Sequence, residues 1–253
     1  MTKAKNPVQA VQRTLEIIDV IQGNGGARVT EIADEVGISK GTVHCHLATL
    51  EESGYVINNG SEYELGLRFL DLAHHAKQRI SIYDMTMSEV DTLAEESGEM
   101  ALFTVEEDGE GVCLYKAEGE EAVQTEVYVG YRNELYHTAV GKAILAFMAP
   151  ERRDNIIDNT EFEALTANTI TSEAELREEL KQIREERIAY NHEETINGLV
   201  GVGAPIRDQD GTIYGAVSLI GPVRRMGKDR LENEITELIR RTVNIIEINI
   251  TSL

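Results

Sequence analysis

The sequence has no tryptophan, four phenylalanines, four prolines and two cysteines. Two cysteines, Cys45 and Cys113, cannot build a disulfide framework, so stability must come from apolar cores. Each is read as a small buried or half-buried residue. No uninterrupted apolar run approaches ~18 residues and no signal-like segment opens the sequence, so no membrane partner and a cytoplasmic location are expected. Lysine is scarce at 8 residues, and 24 Lys+Arg stand against 45 Asp+Glu for a formal charge of −21. A chain so acidic repels nucleic acid as a whole, so any contact with DNA must be local.

The acid is unevenly spread. Residues 1–80 hold 8 basic and 10 acidic side chains, a net of −2, which leaves −19 for the remaining 173. A nearly neutral N-terminal module can still present a basic face. Dense carboxylates on the rest read as a solvated surface, of the kind that keeps a protein hydrated in a salt-rich cytoplasm. At multimolar salt the Debye length is about 3 Å or less and their self-repulsion is screened. With 42% apolar residues in 253, one large domain or two ordinary ones can bury real cores.

The most informative stretch is Thr30–Leu50. Ile32, Ala33 and Val36 share one face of a short helix, with Thr30 as its expected cap and Gly37 as its end. Ile38 fills the turn, Ser39 caps the next helix, and Val43, Leu47 and Leu50 form that helix's buried stripe. Lys40, Gly41, Thr42, His44, Cys45 and His46 are left on or beside an outward face that is short and polar, as a helix entering a DNA groove requires. Before it, Val8–Ile21 reads as a helix with Val11, Leu15, Ile18 and Ile21 inward. After it, Tyr55–Ile57, Asn58-Asn59-Gly60 and Tyr63–Leu65 read as strand, turn and strand, a wing. Leu67–Gln78 is a helix with no core of its own.

Beyond this the pattern is α+β. Met85–Ser97 is helical; Met100–Val105, Val112–Ala117 and Val123–Val129 alternate as strands; Thr138–Met148 is a helix closed by Pro150. Glu151–Asp158 and Ser172–Ile188 are acidic helices, Gly198–Ile206 and Thr212–Ile220 form a hairpin, and Lys228–Thr251 is a long final helix.

Val11–Ile21, Ile38–Val56, Tyr63–Gly66, Tyr136–Met148, Glu193–Gly211 and Ala216–Pro222 together resemble the IclR family of bacterial and archaeal transcription regulators. The resemblance runs nearly end to end, and with the acidity it points to a halophilic archaeon. It implies a mainly α winged helix-turn-helix at 1–65, a linker helix at 66–82 and an α+β GAF-like effector domain with an antiparallel sheet at 83–253. It implies a homodimer or dimer of dimers on a double-stranded DNA operator, with affinity set by a small effector such as an organic or sugar acid. Lys40, Thr42, His44 and His46 are the expected DNA contacts, with Arg28 and Ser39 on phosphate. Cys45 stands where the family commonly has Arg, a loss that His46 could partly replace.

His44 and His46 are ligand types, but i and i+2 on a helix point about 200° apart, so no metal is expected there. Ala139-Val140-Gly141-Lys142 lacks the upstream glycine and the Ser/Thr of a phosphate loop. His137-Thr138 instead opens a helix whose free N–H groups suit a carboxylate. The resemblance puts the effector against Ala139 and Val140, beside Thr138, and adds Asn191, Leu199, Gly201, Ser218 and Ile220. Asn191 stands where another member has Asp and Ile220 where it has a hydroxyl residue, so a less charged and more apolar pocket is expected. His192-Glu193-Glu194 reads as a solvated rim and Cys113 as core. No catalytic residue and no cofactor is expected. The alternatives are a small-molecule-transforming or metal-sensing GAF-domain protein, or an architectural protein whose second domain only dimerises.

Overall fold

A computed structural model describes residues 5–251. The chain divides into two compact units, Met1–Ile80 and Ser81–Leu253, each taken by itself.

In the first unit, α1 (Gln9–Asn24), α2 (Val29–Val36) and α3 (Lys40–Glu52) precede a two-stranded sheet of β1 (Val56–Asn58) and β2 (Tyr63–Leu65), and α4 (Arg68–Gln78) follows. The core is Ile17, Ile21, Ile32, Val43, Leu47, Leu50 and Val56. Each such side chain contributes about 1.5–3 kcal/mol by leaving water. Gly25 and Gly37 end α1 and α2 in the left-handed conformation at φ 68° and 69°. Gly66 is fixed by close approach, since a Cβ there would stand 2.3 Å from the Gly54 carbonyl oxygen. α4 buries none of its residues.

Two expectations fail here. The inward face of α1 is Ile17 and Ile21 with Ile18 half-buried, whereas Val11 and Leu15 are exposed. Apolar residues lie on two overlapping helical faces of α1, and the packing of α2 and α3 selects between them. The cap of α2 is Arg28, not Thr30: the Glu31 carboxylate accepts the Arg28 N–H at 2.7 Å, so the cap lies two residues earlier.

The second unit opens with α5 (Tyr83–Ser97). Then come β3 (Met100–Glu107), β4 (Glu110–Glu118), β5 (Arg132–Glu134), α6 (Ala139–Phe147), α7 (Pro150–Asp158), α8 (Glu173–Glu186), β6 (Ala189–His192), β7 (Leu199–Arg207) and β8 (Ile213–Pro222). The six strands form one antiparallel sheet in the order β5-β4-β3-β8-β7-β6. α9 (Lys228–Arg230), a π turn (Leu231–Ile235) and α10 (Thr236–Ile250) make a last helix. Along β7, Gly201 and Gly203 turn toward Ala139 of α6, while Ala204 lines a surface groove together with Arg240 and Val243 of α10. The sheet is therefore a middle layer, with α6 on one face and α10 on the other.

Val123–Val129 is not a strand. The outer edge of β4 is taken by Tyr131 and β5: Cys113 N–H donates to the Tyr131 carbonyl and Gly130 N–H to that of Cys113. The alternating segment instead crosses irregularly, with Val127 half-buried and Tyr128 and Val129 exposed. Pro150 opens α7 rather than closing α6, because Ala149 before it is held extended at ψ 133° and proline fits the first helical position. The last helix is interrupted by its π turn, where the Thr236 hydroxyl donates to the Leu231 carbonyl at 2.8 Å.

Candidate functional site

The outward face of α3 is built from its first turn. Ser39 Oγ accepts the Thr42 N–H at 3.1 Å and lies 2.9 Å from Thr42 Oγ1, so both hydroxyls serve the cap and Thr42 is half-buried. Lys40, Gly41, His44 and Cys45 are exposed. His46 is not on this face. It is half-buried, and its Nδ1 lies 2.8 Å from Thr14 Oγ1 on α1. Position 46 falls between Val43 and Leu47/Leu50 in the i, i+3, i+4, i+7 pattern, so the helix period that buries those three carries His46 inward too. Arg28 leans over the wing and pairs with Glu62 at 3.2 Å across two exposed side chains, a contact worth little in water.

In the second unit a cavity of about 280 Å³ lies between the sheet and the first turn of α6. All eight residues expected around an effector line it: Thr138, Ala139, Val140, Asn191, Leu199, Gly201, Ser218 and Ile220. One end of the cavity is made by the first turn of α6. Thr138 caps the helix by accepting the Gly141 N–H at 3.0 Å, which leaves the Ala139 and Val140 amides, the first two, without a partner inside the helix. Those N–H groups and the helix dipole favour negative charge. Met100, Leu102, Leu199 and Ile220 supply an apolar wall.

Three side-chain atoms in this lining lack a hydrogen-bond partner: Asn133 Oδ1, His137 Nδ1 and Ser218 Oγ. Ser218 is 1% exposed and His137 7%. Leaving such groups unpaired costs about 1–3 kcal/mol each. Burial pushes the His137 imidazole below its ordinary value, and Lys142 adds to the effect, so it is neutral near pH 7.

Asn191 lines the cavity but its amide is already engaged. Nδ2 donates to the His137 carbonyl at 2.7 Å and to Thr195 Oγ1 at 2.9 Å, while Oδ1 accepts the Glu194 N–H at 3.0 Å. It shapes the wall rather than offering a free hydrogen bond. Glu194, expected on a solvated rim, is 4% exposed and ion-paired to Lys142. Cys113 is buried as expected, and also lines the cavity.

Sequence reasoning missed Asn133 and the Lys142–Glu194 pair. Asn133 sits on a three-residue strand too short to show a period, and Lys142 and Glu194 are 52 residues apart.

Over residues 74–248 the chain matches the family model described as "Bacterial transcriptional regulator IclR C-terminal", and over residues 10–59 the "IclR helix-turn-helix domain". It is 34% identical over 247 residues to the "Probable HTH-type transcriptional regulator ArcR" of Halobacterium salinarum, covering 96% of this chain and 94% of that one. The crystal structure of the Thermotoga maritima IclR is similar at a TM-score of 0.81 and 28% identity, covering 94% and 97% of the two chains. An IclR homolog from Microbacterium hydrocarbonoxydans, complexed with 4-hydroxybenzoate, has the same fold at a TM-score of 0.84 and 17% identity, covering 97% and 100%.

Proposed function

The chain belongs to the IclR family of HTH-type transcriptional regulators, and from that premise we propose that its affinity for a DNA operator is set by a small organic acid held in the second unit. The observation that carries this reading is the cavity, where a helix N-terminus, an apolar wall and three unpartnered polar atoms converge. The ligand's carboxylate sits on the Ala139 and Val140 amides and its body lies against Met100, Leu102, Leu199 and Ile220. A hydroxyl or amide group on it pairs with Ser218, His137 or Asn133. The acid with one hydroxyl named in the Microbacterium complex is of this kind, which supports the class of ligand.

On DNA, the reading head is α3. Lys40 and Ser39 meet phosphate, His44 and Thr42 face the groove, and Arg28 sits on the flanking backbone. His46 is left out of this set because it is turned to α1. A cytoplasmic homodimer on a two-fold operator, or a dimer of dimers, completes the proposal. Catalysis plays no part in it. By linkage, the ligand shifts DNA affinity only as far as it distinguishes two arrangements of the protein.

The test is a thermal-shift screen of organic and sugar acids on the whole protein, followed by operator binding with and without each hit. A hit that raises stability and changes operator affinity supports the proposal. Turnover of a hit, or protein that binds no specific DNA, would sink it.

A further inference from the structure

Lys142 is wholly buried on α6, one turn from the amides that face the cavity, yet it does not line the cavity. All three of its protons are taken. It donates to Glu194 Oε1 at 2.7 Å, to Glu194 Oε2 at 2.8 Å and to Glu179 Oε1. No charge is left over for a ligand.

Glu194 is a junction. Its carboxylate also accepts the His192 N–H at 3.2 Å, its own N–H goes to Asn191, and its carbonyl accepts the Thr169 hydroxyl at 2.6 Å. Next to it, the Thr166 hydroxyl donates to the Glu193 carbonyl at 2.7 Å and Asn168 Nδ2 to the His192 carbonyl at 3.0 Å. Two irregular segments, 160–172 and 193–198, are thereby joined. Each contributes one apolar residue to the cavity, Leu165 and Ile196, which stand 44% and 51% exposed. A buried ion pair is weak evidence for stability, since apolar residues of like volume often serve as well. Its value here is geometric.

We propose that the Lys142–Glu194 pair is the positioning device of the effector cavity: it locks the double rim to the first turn of α6 and so presets the cavity without touching the ligand. This rests on the effector reading of that cavity.

The experiment is backbone amide hydrogen exchange on the ligand-free, full-length protein, comparing wild type with K142M, E194Q and the double variant K142M/E194L. E194Q keeps the shape of the side chain, so one variant remains informative if K142M does not fold. In the single variants, exchange at 141–143 and 191–198 rises about tenfold or more, while β3 and β8 exchange as in wild type. In the double variant the melting temperature returns toward wild type but the local exchange stays fast, which a space-filling role would not produce. Exchange that rises evenly over the unit, or a double variant that recovers slow local exchange, would overturn the proposal. Because no ligand is present, neither result depends on whether an acid binds, and a failed ligand screen would leave this measurement standing.

Discussion

Gly203 lies directly against Ala139: a Cβ built on the glycine would stand 2.9 Å from the Ala139 carbonyl carbon and 3.0 Å from the Val140 amide nitrogen. The strand and the helix start touch backbone to backbone, and the Ala139 and Val140 amides are positioned by a missing side chain. The G203A variant must push the first turn of α6 outward. A stability loss of about 1–3 kcal/mol is expected, together with weaker binding of whichever acid emerges from the screen. Unchanged affinity would show that the helix start is not the anion site.

Ser218 makes the opposite prediction for stability. Its hydroxyl is buried without a partner, so S218A removes a group that the ligand-free fold does not satisfy. The melting temperature should stay level or rise, while ligand affinity falls by about 0.5–1.5 kcal/mol. Isothermal titration beside a melting curve reads both, and parallel losses in the two would contradict the assignment.

His137 links the cavity to pH. Burial holds its imidazole below the ordinary 6.5. As pH falls through 6.5 the unfolded chain takes up a proton that the folded chain refuses, so stability drops toward the lower folded pKa and is unaffected above 6.5. His192 is shifted in the same direction by its own burial. The difference between wild type and H137N isolates the first contribution: melting curves from pH 7.5 downward should show a shallower loss in H137N. Parallel curves would refute the linkage.

With His46 held at Thr14, it is not free to stand in for the arginine that the family resemblance implies at position 45. C45R should therefore strengthen operator binding, by about 1–3 kcal/mol if the new side chain reaches a guanine edge. H44A should weaken binding, and H46L should leave it alone while perturbing the α1–α3 contact. Fluorescence anisotropy on a labelled operator separates the three. A loss of sequence discrimination in H46L would put His46 back on the reading face.

The elements that carry the site were legible where local pattern decides. Ser39, Val43, Leu47 and Leu50 announce α3, Thr138 announces α6, and the eight lining residues follow from resemblance. What was not legible depends on neighbours distant in sequence. Val123–Val129 alternates like a strand, but the partner edge it needs belongs to Tyr131 and β5. Leu15 and Ile17 are equally apolar, and only packing decides which turns inward. His46 fits the buried period of α3, and its polarity concealed this. Nothing local predicts that Asn191 spends its amide on His137 and Thr195.

The division of charge, −2 in residues 1–80 and −19 in the rest, has a consequence for the search through a genome. Roughly 10⁶–10⁹ competing sites hold an ordinary regulator by phosphate attraction alone. Here the net charge of −19 on the rest of the chain opposes that attraction, and on the proposed reading what remains is concentrated on a few side chains of α3. Wherever salt is low enough for that repulsion to reach, protein stranded on random sequence is correspondingly scarce, and a larger share of the copies in a cell is free to find the operator.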